Sequence, residues 1–192
     1  MSELRIGQRV LIVRHGQTEW SANGRHTSVT DLALTEEGRV QAEGLAAKLE
    51  GETFLLVLCS PLRRARTTCE LAGFDNRAEI IDDLREWGYG QYEGLTTPEI
   101  RQRNPDWDLW SQGCPGGERP DQVGHRVDRV LARIREADGD ALVFAHGHVL
   151  RVLAARWLQM QPAAGARFKL AAGSIGELGY ERETEVIDRW NC

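Results

Sequence analysis

Two of the chain's five histidines lie where an apolar stretch ends. Arg14 and His15 come immediately after residues 10–13. His146 comes immediately after Ala141–Ala145. Both stretches have the composition of short buried strands. Because ligands in open α/β sheets bind beyond the carboxyl ends of the strands, we expect the two imidazoles to meet at one edge of one sheet.

Positive charge is predicted to gather at the same sheet edge. Arg64 lies about one turn into the helix predicted after a second apolar stretch, residues 54–59. Gly147 begins a further predicted helix, whose free backbone N–H groups attract anions. Guanidinium groups match phosphate bidentately, and burying this much positive charge without an anion is costly. The sequence therefore predicts a phosphate site that also includes Arg14.

These residue types are suited to phosphoryl transfer. A neutral imidazole is a competent nucleophile at phosphorus, and His15 is the candidate. The arginines and a protonated His146 would neutralise charge on the equatorial oxygens. Glu86, in a loop, is the candidate acid for the leaving oxygen and the candidate base for a later water. Three nearby carboxylates are alternatives for this role: Asp82, Asp83 and Glu93.

A metal site is the alternative interpretation of the segment His146, Gly147 and His148. Its H-x-H pattern occurs in metal sites, but no Asp or Cys lies at ligand spacing. Arginines in the same pocket would also repel a cation. We therefore expect neither a metal ion nor another cofactor.

The elements that must position these groups alternate between strands and helices. Ser60 is expected to cap the helix that holds Arg64, with Pro61 at its first position. The alternating order predicts an α/β fold of three layers, with a mostly parallel sheet covered by helices on both faces. Residues 1–192 are expected to form a single domain.

Two later regions are predicted to lie outside the alternating strands and helices. Residues 104–117 have the composition of an ordered surface loop. The last third of the chain is expected to supply edge strands, one of them antiparallel, from residues 168–170, 175–180 and 186–190.

Composition excludes several classes of protein. The net charge is −5, which argues against a nucleic-acid or membrane-surface binder. No apolar run has the length of a membrane span, and residues 2–5 lack the apolar core of a signal peptide. Four scattered cysteines without a C-x-x-C pair indicate a reduced, cytoplasmic protein. The expected partner is a small-molecule phosphate ester, and a homo-oligomer is left open.

Four segments carry a resemblance to a known family. In chain order they are similar to the motifs of the histidine phosphatase superfamily, the phosphoglycerate mutase-like proteins. Residues 11–18 resemble the L-x-R-H-G-x-T signature, and residues 60–68 resemble the S-x-L-x-R-A-x-x-T segment. Residues 84–90 resemble the segment that carries the acid in many members, and residues 145–148 resemble the second His-Gly.

The resemblance implies the phosphoglycerate mutase-like fold and a role for each matching residue. His15 would be the phosphorylated residue, and Glu86 the proton donor. Arg14, Arg64 and His146 would complete the phosphate pocket, and no metal is implied. Ser21 stands where the mutases usually have Asn, so its hydroxyl is a smaller candidate donor to phosphate.

Longer blocks resemble the branch that contains sedoheptulose bisphosphatases and bacterial acid phosphatases. We therefore expect a metal-independent phosphomonoesterase that acts on a small sugar phosphate or bisphosphate through a phosphohistidine. The alternatives are phosphotransfer of the phosphoglycerate mutase type and a non-catalytic protein that binds a phosphorylated ligand. Thr27, Ser28 and Arg151 are the candidate substrate contacts.

Overall fold

The computed structural model describes residues 7–192, so residues 2–5, for which the sequence predicts no signal-peptide core, lie outside it. The described chain has six strands: β1 Val10–Arg14, β2 Leu56–Cys59, β3 Ala78–Ile80, β4 Ala141–Ala145, β5 Ile175–Glu181 and β6 Thr184–Trp190. It has seven α-helices: α1 Glu19–Asn23, α2 Glu36–Lys48, α3 Arg63–Leu71, α4 Thr97–Arg103, α5 Leu109–Gln112, α6 Pro120–Glu136 and α7 Gly147–Trp157. None of the helices among residues 7–192 has both the length and the apolar character needed to cross a bilayer.

The strands form one mixed sheet in the order β3-β2-β4-β1-β5-β6. The first four in this order pair in parallel, and β5 and β6 are antiparallel additions. The prediction of a mostly parallel sheet is confirmed. The prediction that all of the last third forms edge strands is wrong, because β5 lies inside the sheet between β1 and β6. Residues 168–170 are not a strand; the Phe168 ring instead packs on Trp190, with ring centroids 5.7 Å apart.

Alternate residues of the central strands supply two separate cores. In β1, Val10 and Ile12 pack on one face and Leu11 and Val13 on the other, all at most 2% exposed. The first face is covered by α6 and α7, and the second by α2 and α3. A strand buried on both faces must be apolar, as β4 and residues 10–13 of β1 are. The predicted three-layer α/β architecture is therefore confirmed.

The pairing of β1 with β4 brings the two histidine segments together. Arg14 is in register with Ala145, and the backbone N–H of His15 donates to the Ala145 carbonyl at 3.0 Å. The residues that follow each strand, His15 and His146, therefore emerge side by side at the carboxyl edge of the sheet.

Two local predictions need correction. The helix that holds Arg64 begins at Arg63, with Leu62 in the capping position. Ser60 does not cap it, because its hydroxyl is hydrogen-bonded to the His146 ring at 2.7 Å. Residues 104–117 are not a surface loop. They contain α5, and Trp107 is only 3% exposed because its ring packs inside the core on α6's side of the sheet.

A close backbone approach fixes the loop after His15 against α2. A Cβ added at Gly38 would lie 2.1 Å from the Gln17 carbonyl oxygen, whereas a Cβ added at Gly44 of the same helix would meet nothing within 4 Å. We expect Gly38→Ala to lower the free energy of unfolding by about 1–3 kcal/mol, the usual effect of overpacking. Gly44→Ala is the matched control and should raise it by up to about 1 kcal/mol, since Ala favours a helix. Urea unfolding of both variants measures the difference, and equal effects would contradict the close approach.

Candidate active site

A cavity of about 230 Å³ opens at the carboxyl edge of the sheet. Seven of the residues predicted to bind phosphate, contact substrate or act in catalysis line it: Arg14, His15, Ser21, Thr27, Glu86, Gly147 and Arg151. The other described lining residues are Thr18, Gly24, Arg25, His26, Tyr89, Thr97, His148 and Leu170. Three further predicted residues, Arg64, His146 and Ser28, lie behind this wall.

His15 is oriented by its own loop. Its Nδ1 lies 2.7 Å from the Gly16 carbonyl oxygen. A carbonyl only accepts hydrogen bonds, so Nδ1 carries the proton and Nε2 keeps its lone pair. Burial lowers the pKa of His15 well below its usual value, and the positive charges of Arg64 and Arg14 lower it further. The cavity therefore contains a neutral imidazole with a free nucleophilic nitrogen.

Arg14 lies beside His15 with part of its guanidinium unengaged. One terminal nitrogen donates to the Leu170 carbonyl at 2.6 Å. Its Nε is buried and has no hydrogen-bond partner among residues 7–192. An added Cβ at Gly147 would lie 3.2 Å from the Arg14 guanidinium carbon, so the glycine allows the two to approach. A buried donor without an acceptor is unfavourable, which makes this guanidinium a natural binder of an anion in the cavity.

His146 is completely buried, and its ring centroid lies 5.1 Å from that of His15. Its Nδ1 accepts from Arg64 Nε at 3.1 Å, so its Nε2 carries the proton and donates to the Ser60 hydroxyl at 2.7 Å. Burial, followed by the charge of Arg64, lowers the pKa of His146 well below its usual value. In this structure the imidazole of His146 is therefore neutral, and its protonated state in the phosphate-bound site stays a prediction.

Arg64 is only 1% exposed and directs three of its four remaining N–H groups at backbone carbonyls. They lie at Thr30 (3.1 Å), Thr27 (3.1 Å) and Ser28 (3.3 Å). Arg64 thus connects His146 to residues 27–30, of which Thr27 lines the cavity. Its contact with phosphate stays a prediction, as does the contact of Ser28 with substrate, because neither side chain lines the cavity.

Glu86 is held by backbone groups and faces the same cavity. Its Oε1 accepts from the N–H groups of Trp87 and Val149, both at 2.9 Å, and its Oε2 accepts from His148 at 3.0 Å. Two of these donors belong to the first turn of α7, so the carboxylate caps the helix that follows His146. The helix end predicted to attract phosphate is thus largely occupied by Glu86, although Gly147 itself lines the cavity.

Ser21 lines the cavity with its hydroxyl already engaged. The hydroxyl accepts from the Thr18 N–H at 2.9 Å and donates to the Thr18 carbonyl at 3.0 Å, in the capping box that starts α1. Its hydrogen is directed at the protein backbone, so donation from Ser21 to phosphate stays a prediction.

Sequence reasoning assigned no role to several lining residues, including Tyr89, and considered His148 only as a metal ligand. The Tyr89 hydroxyl lies 2.7 Å from His148 Nδ1, and the His148 ring is nearly parallel to that of His26, with centroids 6.2 Å apart. Burial lowers the pKa values of both histidines, so both rings are neutral. The available signal was proximity: Tyr89 lies three residues after Glu86, and His148 two after His146.

Two further arginines, Arg151 and Arg25, line the cavity. The Arg151 guanidinium lies over the Trp110 ring, 4.5 Å from its centroid, and donates to the Gly165 carbonyl at 2.9 Å. Arg25 is paired with Glu99 at 3.2 Å. Among residues 7–192 no three His, Cys, Asp or Glu side chains are arranged to hold a metal ion. The arrangement can therefore bind an anionic group through guanidinium groups and attack it with an imidazole.

Comparison with known proteins agrees with this geometry. The model of the histidine phosphatase superfamily (branch 1) matches residues 10–192. An acid phosphatase of Mycobacterium tuberculosis is 47% identical, with 90% of this chain and 87% of the relative covered. The sedoheptulose 1,7-bisphosphatase of Saccharomyces cerevisiae is 41% identical, with 78% and 67% covered. A solved structure of an open reading frame of M. tuberculosis superposes with a TM-score of 0.90 at 43% identity, covering 96% of this chain and 97% of that one.

The neutral state of His146 predicts how stability depends on pH. In the unfolded chain a histidine has a pKa near 6.5, whereas burial lowers the pKa of His146 in the folded protein. Below about pH 6.5 the unfolded state therefore takes up the proton first, and stability falls as the pH falls. We expect this one histidine to contribute about 1.4 kcal/mol of loss per pH unit. Urea unfolding at about pH 7.5 and about pH 5, on either side of the unfolded-state pKa near 6.5, measures this loss. The free energy of unfolding should decrease less for His146→Gln than for the natural protein. The same dependence in both proteins would contradict a neutral His146.

Proposed function

Because the chain belongs to branch 1 of the histidine phosphatase superfamily, we propose that it hydrolyses a small phosphomonoester, a sugar phosphate or bisphosphate, through a phosphohistidine on His15. The observation that carries the proposal is the free Nε2 lone pair of a neutral His15 in a cavity that Arg14 and Glu86 also line. A protein that only binds a phosphorylated ligand needs the guanidinium group but neither a nucleophile nor an acid.

In the first step His15 Nε2 attacks phosphorus and the bond from phosphorus to the ester oxygen breaks. The leaving oxygen takes a proton from Glu86, so a neutral alcohol departs. Arg14 donates hydrogen bonds to the non-bridging oxygens, where charge is carried in the transition state. The Nδ1–H bond to the Gly16 carbonyl stabilises the positive charge that develops on the imidazole as the N–P bond forms.

In the second step a water molecule attacks the phosphohistidine. Glu86, now ionised, takes a proton from this water, the N–P bond breaks, and inorganic phosphate and neutral His15 are released. Arg14 stabilises the charge on the non-bridging phosphoryl oxygens in both steps, and we propose that no metal ion takes part.

The arginine side chains that line the cavity favour a substrate with more than one anionic group. Arg25 is paired with Glu99, whereas Arg14 and Arg151 line the cavity without a carboxylate partner among residues 7–192, and Glu86 is the one carboxylate among the described lining residues. An excess of positive charge attracts anionic ligands and disfavours neutral ones. Two relatives, an acid phosphatase and a sedoheptulose 1,7-bisphosphatase, agree with this substrate class.

Replacing the nucleophile tests the mechanism. We expect His15→Asn to lower kcat/KM at least about 1000-fold, because no covalent intermediate can form. Rapid acid-free quenching of the natural enzyme with ³²P-labelled substrate should trap a base-stable, acid-labile phosphoenzyme that the variant lacks. His125→Asn is the matched control, since His125 is exposed on α6 and does not line the cavity. A phosphoenzyme that persists in His15→Asn would contradict the assignment.

A panel of sugar phosphates and bisphosphates assayed in EDTA tests substrate class and metal independence together. We expect release of inorganic phosphate at the rate seen without chelator. Activity that EDTA abolishes and a divalent cation restores would overturn metal independence. Adding 3-phosphoglycerate with a bisphosphate primer separates the alternative, because phosphotransfer of the mutase type yields an isomer in place of free phosphate. Binding without turnover across the panel would instead indicate a non-catalytic phospho-ligand protein.

A further inference from the structure

The geometry points to Arg126 as a positioning residue that fixes the main chain at Glu86, so that this carboxylate can deliver its proton to the leaving oxygen. This inference rests on the proposed function, because it takes Glu86 to be the acid. Arg126 lies on α6 and is not part of the described cavity wall, so it does not itself contact substrate.

All five N–H donors of the Arg126 guanidinium are engaged, and three point at one short segment. One terminal nitrogen donates to the carbonyls of Asp83 (2.6 Å) and Arg85 (2.7 Å). The other donates to the carbonyl of Glu86 at 3.2 Å. Arg126 is 8% exposed, so these bonds are shielded from water. A single buried side chain therefore holds the main chain on both sides of the acid.

Glu118 completes the support from the same direction. Its carboxylate accepts from Arg126 Nε at 2.8 Å and from the second terminal nitrogen at 3.0 Å. Its Oε2 also accepts from the Gly88 N–H at 2.7 Å, and its carbonyl accepts from the Trp87 indole at 3.0 Å. The charge of the buried guanidinium is thereby paired, and the chain is held two residues beyond Glu86 as well.

The segment needs this support because no strand or α-helix contains it. Asp82–Leu84 forms a single 3₁₀ turn, and the residues that follow are irregular until Gly90–Tyr92. The first turn of α7 fixes the Glu86 carboxylate, whereas Arg126 fixes the backbone that carries it. A displacement of about 1 Å in a catalytic group can reduce a rate about 100-fold. The position of Glu86 therefore depends on Arg126, which lies on α6 and does not line the cavity.

The test compares two substrates of similar shape that differ in their need for an acid. Phenol has a pKa near 10, like the tyrosine side chain, so phenyl phosphate needs protonation of its leaving oxygen. The 2,4-dinitrophenolate ion leaves without it. The readout is the ratio of kcat/KM for phenyl phosphate to kcat/KM for 2,4-dinitrophenyl phosphate. It reports the phosphorylation step alone, so the later role of Glu86 with water does not affect it.

We expect Arg126→Met in the full chain to lower this ratio at least about 10-fold, and Glu86→Gln to lower it about 100-fold or more. Arg129→Met is the matched control. Arg129 lies one turn along α6, is exposed, and binds the carboxylate of Asp83 rather than any carbonyl near Glu86. Its ratio should equal that of the natural enzyme. Loss of folded protein lowers both rates equally and leaves the ratio unchanged, so a purely structural role of Arg126 predicts no shift.

The outcomes separate the inference from the proposed function. If Glu86→Gln leaves the ratio unchanged, Glu86 is not the acid and the proposed function fails at that step. If Glu86→Gln lowers the ratio but Arg126→Met does not, the inference about Arg126 is overturned. Should Arg126→Met fail to accumulate as folded protein, Glu118→Gln replaces it, since it removes the charge that orients Arg126. For Glu118→Gln, a decrease in the ratio that is smaller than the decrease of about 10-fold expected for Arg126→Met would support the inference. A ratio equal to that of the natural enzyme would overturn it.

Discussion

Burial of two imidazoles beside two guanidinium groups is the constraint on which the rest of the site depends. An arginine cannot lose its proton in a protein, so His15 and His146 must be the neutral partners. Arg64 donates to His146, His146 donates to Ser60, and His15 donates to its own loop. Once these directions are set, the one lone pair of the two rings that remains free is His15 Nε2.

The sheet converts this electrostatic arrangement into a fixed geometry. β1 and β4 are buried on both faces, so neither strand can slide without moving apolar residues out of a core. Glu86 comes from an irregular segment and is nevertheless immobilised, because the first turn of α7 binds its carboxylate. The nucleophile and the acid thus derive their positions from neighbouring parallel strands and from the helix that follows one of them.

Local patterns in the sequence were sufficient to place the groups at one sheet edge, but not to assign their hydrogen bonds. Apolar runs that end in His-Gly identify β1 and β4, and the edge of a parallel sheet then brings His15 and His146 together. Ser60 has the chemistry of a helix cap, and nothing near it indicates that a ring 86 residues away binds its hydroxyl. The neutral state of His146 in this structure is likewise not evident from the sequence, because it depends on burial and on a contact with Arg64 that only the folded chain creates.

The contacts of Arg64 have a consequence for how the cavity mouth can evolve. This guanidinium grips residues 27–30 through carbonyl oxygens, which every amino acid presents alike. The exposed side chain of Val29 and the half-buried side chains of Thr27 and Thr30 can therefore be exchanged without removing these hydrogen bonds to Arg64. Substitution of Thr27, which lines the cavity, can therefore change which molecules enter while the backbone attachment to the reactive centre stays the same.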